Sequence, residues 1–441
     1  MQRVSCLLAS LLVLLAACAE AADSSGLTII YSGNLAGHLE PCGCAAESDF
    51  GGLDRHAVML DRLRAEKPEA IAIAHGGLLA HGGVTERVKA EFILQGFDLL
   101  HYDAVGLQWP DLVFGRAFLG QVSLPWVASN WRGAEFPVMR LIRRGARKAA
   151  FFAWLDPERE PRTGGGNPIY PVDNTLETLA QRLAGAKNEG AMVILATAVH
   201  PDHVARLPLS HVDLLLAGTD GPPGEPLRVG KTLVVRPEKW GMRLGVLDLN
   251  LDDQGHIADW RHRVVDLGAD LGHAPRMFPW YAAYTERVKL ANQERIAQLR
   301  AKRQGDTGPF VGAQPCRSCH AAPFEAWQKS PHARALPTLE KVNKDFDPDC
   351  LVCHTVGFAL PGGFVEKGVT PHLAGVQCES CHGAGREHAR EGGARIKHLA
   401  ADQSEPLCRG CHNALHAPAF EFKHARRQGI PCGQKKDEKL P

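Results

Sequence analysis

Four times in its last third, the 441-residue chain repeats one pattern: two cysteines separated by two residues, with a histidine directly after the second. The copies are Cys316-Arg317-Ser318-Cys319-His320, Cys350-Leu351-Val352-Cys353-His354, Cys378-Glu379-Ser380-Cys381-His382 and Cys408-Arg409-Gly410-Cys411-His412. On one turn of helix, residues three and four apart share a face, so both thiols and the imidazole project the same way. Paired CxxC units can hold zinc, but zinc does not require a histidine at the same place each time. Here a histidine follows all four pairs. The pattern instead suits a porphyrin held by two thioether bonds with the histidine on its iron. It predicts four covalently attached c-type haems, with His320, His354, His382 and His412 as proximal iron ligands. Such a segment needs little side-chain core, because the porphyrins themselves are apolar.

The other end of the chain predicts where those cofactors are attached. Arg3 precedes the apolar run "CLLASLLVLLAAC", which reads as a secretion signal over residues 1–22, too short to span a membrane convincingly. Leu15-Ala16-Ala17-Cys18 fits a bacterial lipobox, in which Cys18 becomes the lipid-carrying first residue; cleavage after "AEA", near Ala21 or Ala22, is the rival reading. The expectation is a protein of the periplasm or cell envelope, held at a membrane by a lipid anchor. Of thirteen cysteines, eight lie in the repeated motifs and Cys6 and Cys18 in the signal. Cys42, Cys44 and Cys432 remain, in a compartment where free thiols tend not to persist. A net charge of +1 gives no basic field for nucleic acid.

Between the two ends the pattern alternates. "LTIIYSG", "AIAIAHG", "AMVILATAV" and "HVDLLLAG" read as buried strands, and "LDRHAVMLDRLRAE" and "TLETLAQRLAGAKNEG" as amphipathic helices. Alternation of this kind predicts an α/β sandwich over residues 27–275, with "KTLVVRP" and "RLGVLDLNLDD" as closing antiparallel strands. "FPWYAAYTERVKLANQERIAQLRAK" reads as a long connecting helix, placing a linker at 276–308 and a mostly helical multihaem unit at 309–433.

"GAQPCRSCHAAPFEAWQKSPHARAL", "CLVCHTVGF" and "GVQCESCHGAGREHA" resemble the cytochrome c554-type tetrahaem family, over roughly Phe310 to Cys432. That resemblance implies distal ligands for haems other than their own: His332 in "SPHARAL", His388 in "GREHA" and His424 in "FKHAR". Bis-histidine ligation closes the iron and suits electron transfer. In this family the haem of the second motif is typically five-coordinate, which here is the haem of Cys350, Cys353 and His354. His372, His398 and His416 are further candidates for that position, or solvated surface histidines.

The N-terminal region resembles the 5'-nucleotidase-type, calcineurin-like metallophosphoesterases in the order of its segments: "IIYSGNLAGHLEP", "GGLDRHAVMLDRLRAEKPEAIAIAHGG", "YDAVGLQWPDL", "LPWVASN", "VILATAVHPDHVARL" and "VDLLLAGTDG". The family uses these turns to hold two metals. This chain departs from that pattern. Asn34 and Ala36 stand where the first acid and histidine belong, Gly77 replaces an acid, and Gln108-Trp109-Pro110 replaces Gly-Asn-His. Thr219 and Gly221 replace the last histidines, while His200 survives. Alanine, glycine and proline side chains cannot ligate a metal. The fold class expected is thus a degenerate phosphoesterase-type α/β sandwich followed by a helical multihaem domain. Cys42-Gly43-Cys44 reads as a strained disulfide, as two unrelated thiols, as a redox-active pair, or as a new metal site with His38, His75, His81 or His200. Cys432 is a third participant or an odd thiol.

The function expected is single-electron transfer among the haems to redox partner proteins, with the degenerate domain as a docking or regulatory module. The alternative is a redox enzyme acting on a small nitrogen or sulfur compound, at a five-coordinate haem or at the Cys42/Cys44 site. Phosphohydrolase activity is not expected.

Overall fold

The computed structural model describes residues 26–41, 43, 46–80, 85–162, 169–170, 172–218, 224–252, 254–302, 308–391 and 404–429. Cys18, Cys42, Cys44, His81, Thr219, Gly221, His398 and Cys432 lie outside them.

Twelve strands build the described N-terminal region: β1 (Gly26–Ser32), β2 (Ile71–Ala74), β3 (Ala104–Gly106), β4 (Trp126–Val127), β5 (Arg140–Arg144), β6 (Arg147–Trp154), β7 (Met192–Thr197), β8 (Leu214–Ala217), β9 (Leu227–Val229), β10 (Thr232–Val235), β11 (Arg243–Leu251) and β12 (Ile257–Asp266). They form two six-stranded sheets, ordered β12-β11-β1-β2-β3-β4 and β5-β6-β7-β8-β10-β9. The helices among them are α1 (Leu53–Glu66), α2 (Glu86–Asp98), the short α3 (Arg116–Leu119) and α4 (Leu176–Asn188).

Alternation along the strands sorts side chains into layers. Ile29, Tyr31, Ile71 and Ile73 face Phe151, Ala153, Ile194, Leu214 and Leu216 between the sheets. Their neighbours Ile30, Ala72 and Val105 face outward onto Ala57 and Leu60 of α1 and Ile93 and Phe97 of α2. Phe152, Val193 and Leu195 face Leu179 and Leu183 of α4 on the other side. The result is an α/β sandwich of four layers. Each fully buried Leu, Ile or Phe contributes about 1.5–3 kcal/mol relative to an exposed one.

The strand "KTLVVRP" differs from expectation. β10 pairs in parallel with β8 and only its outer edge is antiparallel, to β9. The β11 strand is antiparallel to β1 as expected. It continues into β12, which the polar "IADWRHRVVD" did not announce, because that edge strand buries only its first residue.

Helix α5 (Phe278–Lys302) serves both halves. Its Trp280 indole donates to the Phe92 carbonyl of α2 at 2.9 Å, and Tyr284 packs on Phe92. A Cβ on Gly96 would sit 2.5 Å from the Trp280 ring, so glycine is what lets α5 approach α2 this closely. Further along, Asn292 donates to the Phe346 carbonyl at 2.9 Å and Arg295 to that of Val365 at 3.2 Å.

Beyond α5 the structure is helical: α6 (Ala321–Lys329), α7 (Ala335–Lys341), α8 (Pro348–His354), α9 (Cys378–His382), α10 (Arg386–Glu391), α11 (Ser404–Arg409) and α12 (Phe422–Gly429). Side-chain core is sparse here. One buried cluster holds Phe310, Leu336, Leu339, Leu351, Val356, Phe358, Phe364 and Leu373. From 404 to 425 no residue is buried. No helix of the described residues is long and apolar enough to cross a membrane.

Candidate functional site

Each repeated motif forms the helical turn its spacing predicts. The second lies in α8 and the third is α9; in the first and fourth, His320 and His412 donate their backbone N–H to the carbonyls of Cys316 and Cys408, each at 2.8 Å. No disulfide joins the eight motif cysteines, and Cys319 and Cys381 are exposed.

The motifs meet in pairs through tertiary packing. The Cys316 thiol is lowered to about 7, chiefly by a hydrogen bond with Cys378 of the third motif. The Cys411 thiol is likewise lowered to about 7 by a hydrogen bond with Cys353 of the second. The imidazoles pair as well. His388 lies with its ring centre 6.0 Å from that of His320, the planes 22° apart. His332 lies 6.1 Å from His412, the planes 53° apart. Burial lowers the pKa of both His332 and His412, so both stay neutral, the state in which an imidazole nitrogen can bind a metal. His382 and His424 share no ring contact among the described residues.

His354 carries its own signature. Its Nδ1 lies 2.7 Å from the Ala335 carbonyl, which can only accept, so Nδ1 holds the proton and Nε2 keeps its lone pair. That tautomer is the one an iron ligand needs.

These observations fit c-type haem. Two imidazoles on opposite faces of one iron, with metal–nitrogen bonds of about 2 Å, have ring centres about 6 Å apart. Eight thiols without disulfides are available for thioether bonds, and the surrounding side chains bury too little apolar surface to hold a helical segment alone. When bound, haem supplies a one-electron couple; the protein supplies attachment, axial nitrogen and surroundings.

In the N-terminal region the loops after parallel strands gather at one edge, the usual place for a site in sheets of this kind. A Cβ on Gly106 at the end of β3 would sit 3.2 Å from Ala153 of β6 and 3.3 Å from Ala196 of β7. The first turn is zipped to the second by Asn34 N–H to Gly76 O at 2.8 Å and Ala36 N–H to Gly77 O at 3.0 Å. Asn34 and Ala36 both have left-handed backbones, at φ 50° and 49°. Gly77 is left-handed as well, at φ 70°, and a Cβ there would sit 2.5 Å from the Asn34 amide oxygen, so an acid at 77 would be strained and would require the Asn34 side chain to move.

The remaining polar residues are engaged in the scaffold. Asn130 pairs both its amide groups with the backbone of Leu155, at 2.9 and 3.0 Å. Gln108 donates to the His75 carbonyl at 3.2 Å. His200 is half exposed and caps its own turn by accepting from the Asp202 N–H at 3.3 Å. His38 is largely buried, its pKa lowered to about 4 by burial and then by Lys89, with its ring edge toward Trp240. Among the described residues no three His, Cys, Asp or Glu side chains converge on a point.

No motif in the sequence marks Asp111. Its buried carboxylate accepts from the N–H groups of Gly77 (2.9 Å), Leu78 (2.6 Å), Leu79 (3.2 Å) and Gln108 (3.0 Å). Burial raises its pKa to about 6 against the opposing pull of those four donors. One side chain thus ties together the turns that follow β2 and β3. An aspartate just after a Pro in a turn was the available signal.

Residues 315–383 match the family model "Cytochrome c554 and c-prime". Cytochrome c-554 of Nitrosomonas europaea is 38% identical over 105 residues, 20% of this chain and 45% of that protein; the chain therefore spans under half the length of that relative. The structure resembles the sulfate thiohydrolase SoxB of Thermus thermophilus, solved with glycerol (TM-score 0.51, 20% identity, 59% of this chain and 60% of that one). It also resembles a 5'-nucleotidase precursor of Thermus thermophilus (TM-score 0.50, 17% identity, 60% and 59%). At such identities the likeness is one of fold. On these matches the C-terminal end of the chain carries a region similar to cytochrome c554, and the N-terminal unit has the fold of the 5'-nucleotidase-type phosphoesterases.

Proposed function

We propose that the chain is an exported, lipid-anchored tetrahaem cytochrome that passes single electrons among four c-type haems to redox partner proteins, with the N-terminal unit as a docking or regulatory module. The observation that carries this reading is the pair of imidazole couples at 6.0 and 6.1 Å. In it, His320 and His388 ligate the first haem, and His332 and His412 the fourth. Each distal ligand thereby comes from outside the motif whose iron it closes, so the haems are bound into one array. Low-spin, six-coordinate irons change little in geometry between Fe(III) and Fe(II), which suits transfer over catalysis. The resemblance gives His424 to a haem other than its own; with the first and fourth irons closed and the second read as open, His382 and the third haem are what is left for it.

A second reading follows the resemblance, in which the haem of the second motif is five-coordinate; His354, like His382, is in ring contact with no second imidazole among the described residues. In that reading its iron has an open position at which a small nitrogen or sulfur compound is oxidised or reduced. His372 and His416 are the described histidines that could instead close it. Haem content per chain by pyridine haemochrome, with the mass of the intact protein, tests the cofactor count. Four haems support the proposal; three or fewer in protein matured with the c-haem attachment machinery would overturn it.

A further inference from the structure

The N-terminal unit does not merely hang beside the haem region; it closes on the helix that carries the second motif. Glu40, at the end of the first turn, accepts from Lys344 Nζ at 2.7 Å and from the Tyr281 hydroxyl of α5. Lys344 also lies 3.8 Å from Asp347, the residue that caps α8. Lys89 of α2 reaches across to the carboxylate of Asp349, directly before Cys350. The five charged groups are partly or largely withdrawn from solvent. Two ammonium groups and three carboxylates therefore sit in one seam around the start of α8, and one member of each sign, Lys89 and Glu40, comes from the N-terminal unit. Neither seam nor partners are foreshadowed by any motif.

We propose that the second haem site is built by both units: the His38–Glu40 turn and Lys89 form one wall of it and set the reduction potential of its iron. This rests on the reading of Cys350, Cys353 and His354 as a haem site. Reduction adds one electron to the iron, so a nearby positive charge favours Fe(II) and a negative charge favours Fe(III), more strongly where solvent is excluded. Lys89 and Glu40 act from the same seam with opposite signs. A merely structural role for the seam would not produce opposite shifts.

The test is a spectroelectrochemical titration of the full chain and of Lys89→Met and Glu40→Gln, with haem content measured on every sample. The component belonging to the second motif is identified by its absence in the double variant Cys350→Ala/Cys353→Ala. Lys89→Met should lower the potential of that component and Glu40→Gln should raise it. Each shift should be tenfold or more in the reduction equilibrium, about 59 mV for one electron, with the other haems unmoved. No shift, shifts of the same sign, or shifts spread over all haems would overturn the inference. An undiminished haem count in the cysteine double variant would instead refute the haem site on which it rests, a separate and recognisable failure.

Discussion

Asp111 should be the residue that keeps the N-terminal fold together without metals, and its removal tests this quantitatively. Asp111→Ala leaves four backbone N–H groups without their acceptor, in a place where the carboxylate has no exposure to solvent. An unsatisfied buried donor costs about 1–3 kcal/mol, so even at the low end the four together cost about 4 kcal/mol. That cost should depend on pH in a definite direction. Burial raises the pKa of the folded carboxyl from 3.8 to about 6. A raised folded pKa means the side chain's contribution is fully present below the unfolded value and is lost as pH rises through the folded one. About two pKa units correspond to about 3 kcal/mol. The stability gap between the parent protein and Asp111→Ala should therefore be about 4 kcal/mol near pH 4 and shrink toward about 1 kcal/mol by pH 7. Denaturant unfolding followed by tryptophan fluorescence, with haem absorbance recorded in parallel, reads both. A gap under about 1 kcal/mol at pH 4, or one that widens as pH rises, would refute the account of the buried carboxylate.

Further outcomes are expected. His388→Ala should turn one haem from low-spin to high-spin without loss of covalent haem, and His332→Ala should do so at a different haem; an unchanged absorption and EPR spectrum in either would sink that ligand assignment. Prolonged chelation with EDTA should leave the thermal unfolding of the N-terminal unit unchanged, because the Asp111 carboxylate already joins its turns; a lowered midpoint restored by Mn²⁺ or Zn²⁺ would contradict this. Nucleotides incubated with the protein and those metals should release no phosphate above a protein-free control, and turnover would overturn the reading of the Asn34, Gly77 and Gln108 turns. Trp280→Ala should destabilise the chain by about 3–5 kcal/mol in denaturant unfolding, through the cavity left against Gly96 and Phe92; a loss under about 1 kcal/mol would show that α5 does not anchor on α2.

Much of this was legible in the sequence because the relevant signals are local. Apolar runs such as "LTIIYSG" and "AMVILATAV" can be buried on both faces only as central strands, and they are β1 and β7. Helix α1 spans the same residues as the amphipathic run that predicted it. The motif cysteines and histidines follow from chemistry at fixed spacing. Three features were not legible, each because it joins residues distant in sequence. The pairing of His332 with His412 crosses eighty residues, and no pattern within either motif specifies it. Asp111 looked like an ordinary turn residue until its four donors from two loops came together. The tautomer of His354 depends on a carbonyl nineteen residues away in α7. The hairpin of β5 and β6 was also missed, since the charged "RLIRRGAR" masks an edge strand turning at Gly145, whose φ of 51° marks the bend.

An electron carrier of this design has its first and fourth haems closed by histidines from outside their own motifs, His388 and His332. The measurement that tests it most directly is low-temperature EPR of the air-oxidised full-length protein, with haem quantified per chain and the spins integrated. Dominant low-spin ferric signals, with at most one high-spin haem per chain confined to the second motif, are the predicted result. High-spin iron at the haems of His320 or His412 would contradict it, because those two imidazoles are the ones with partners about 6 Å away.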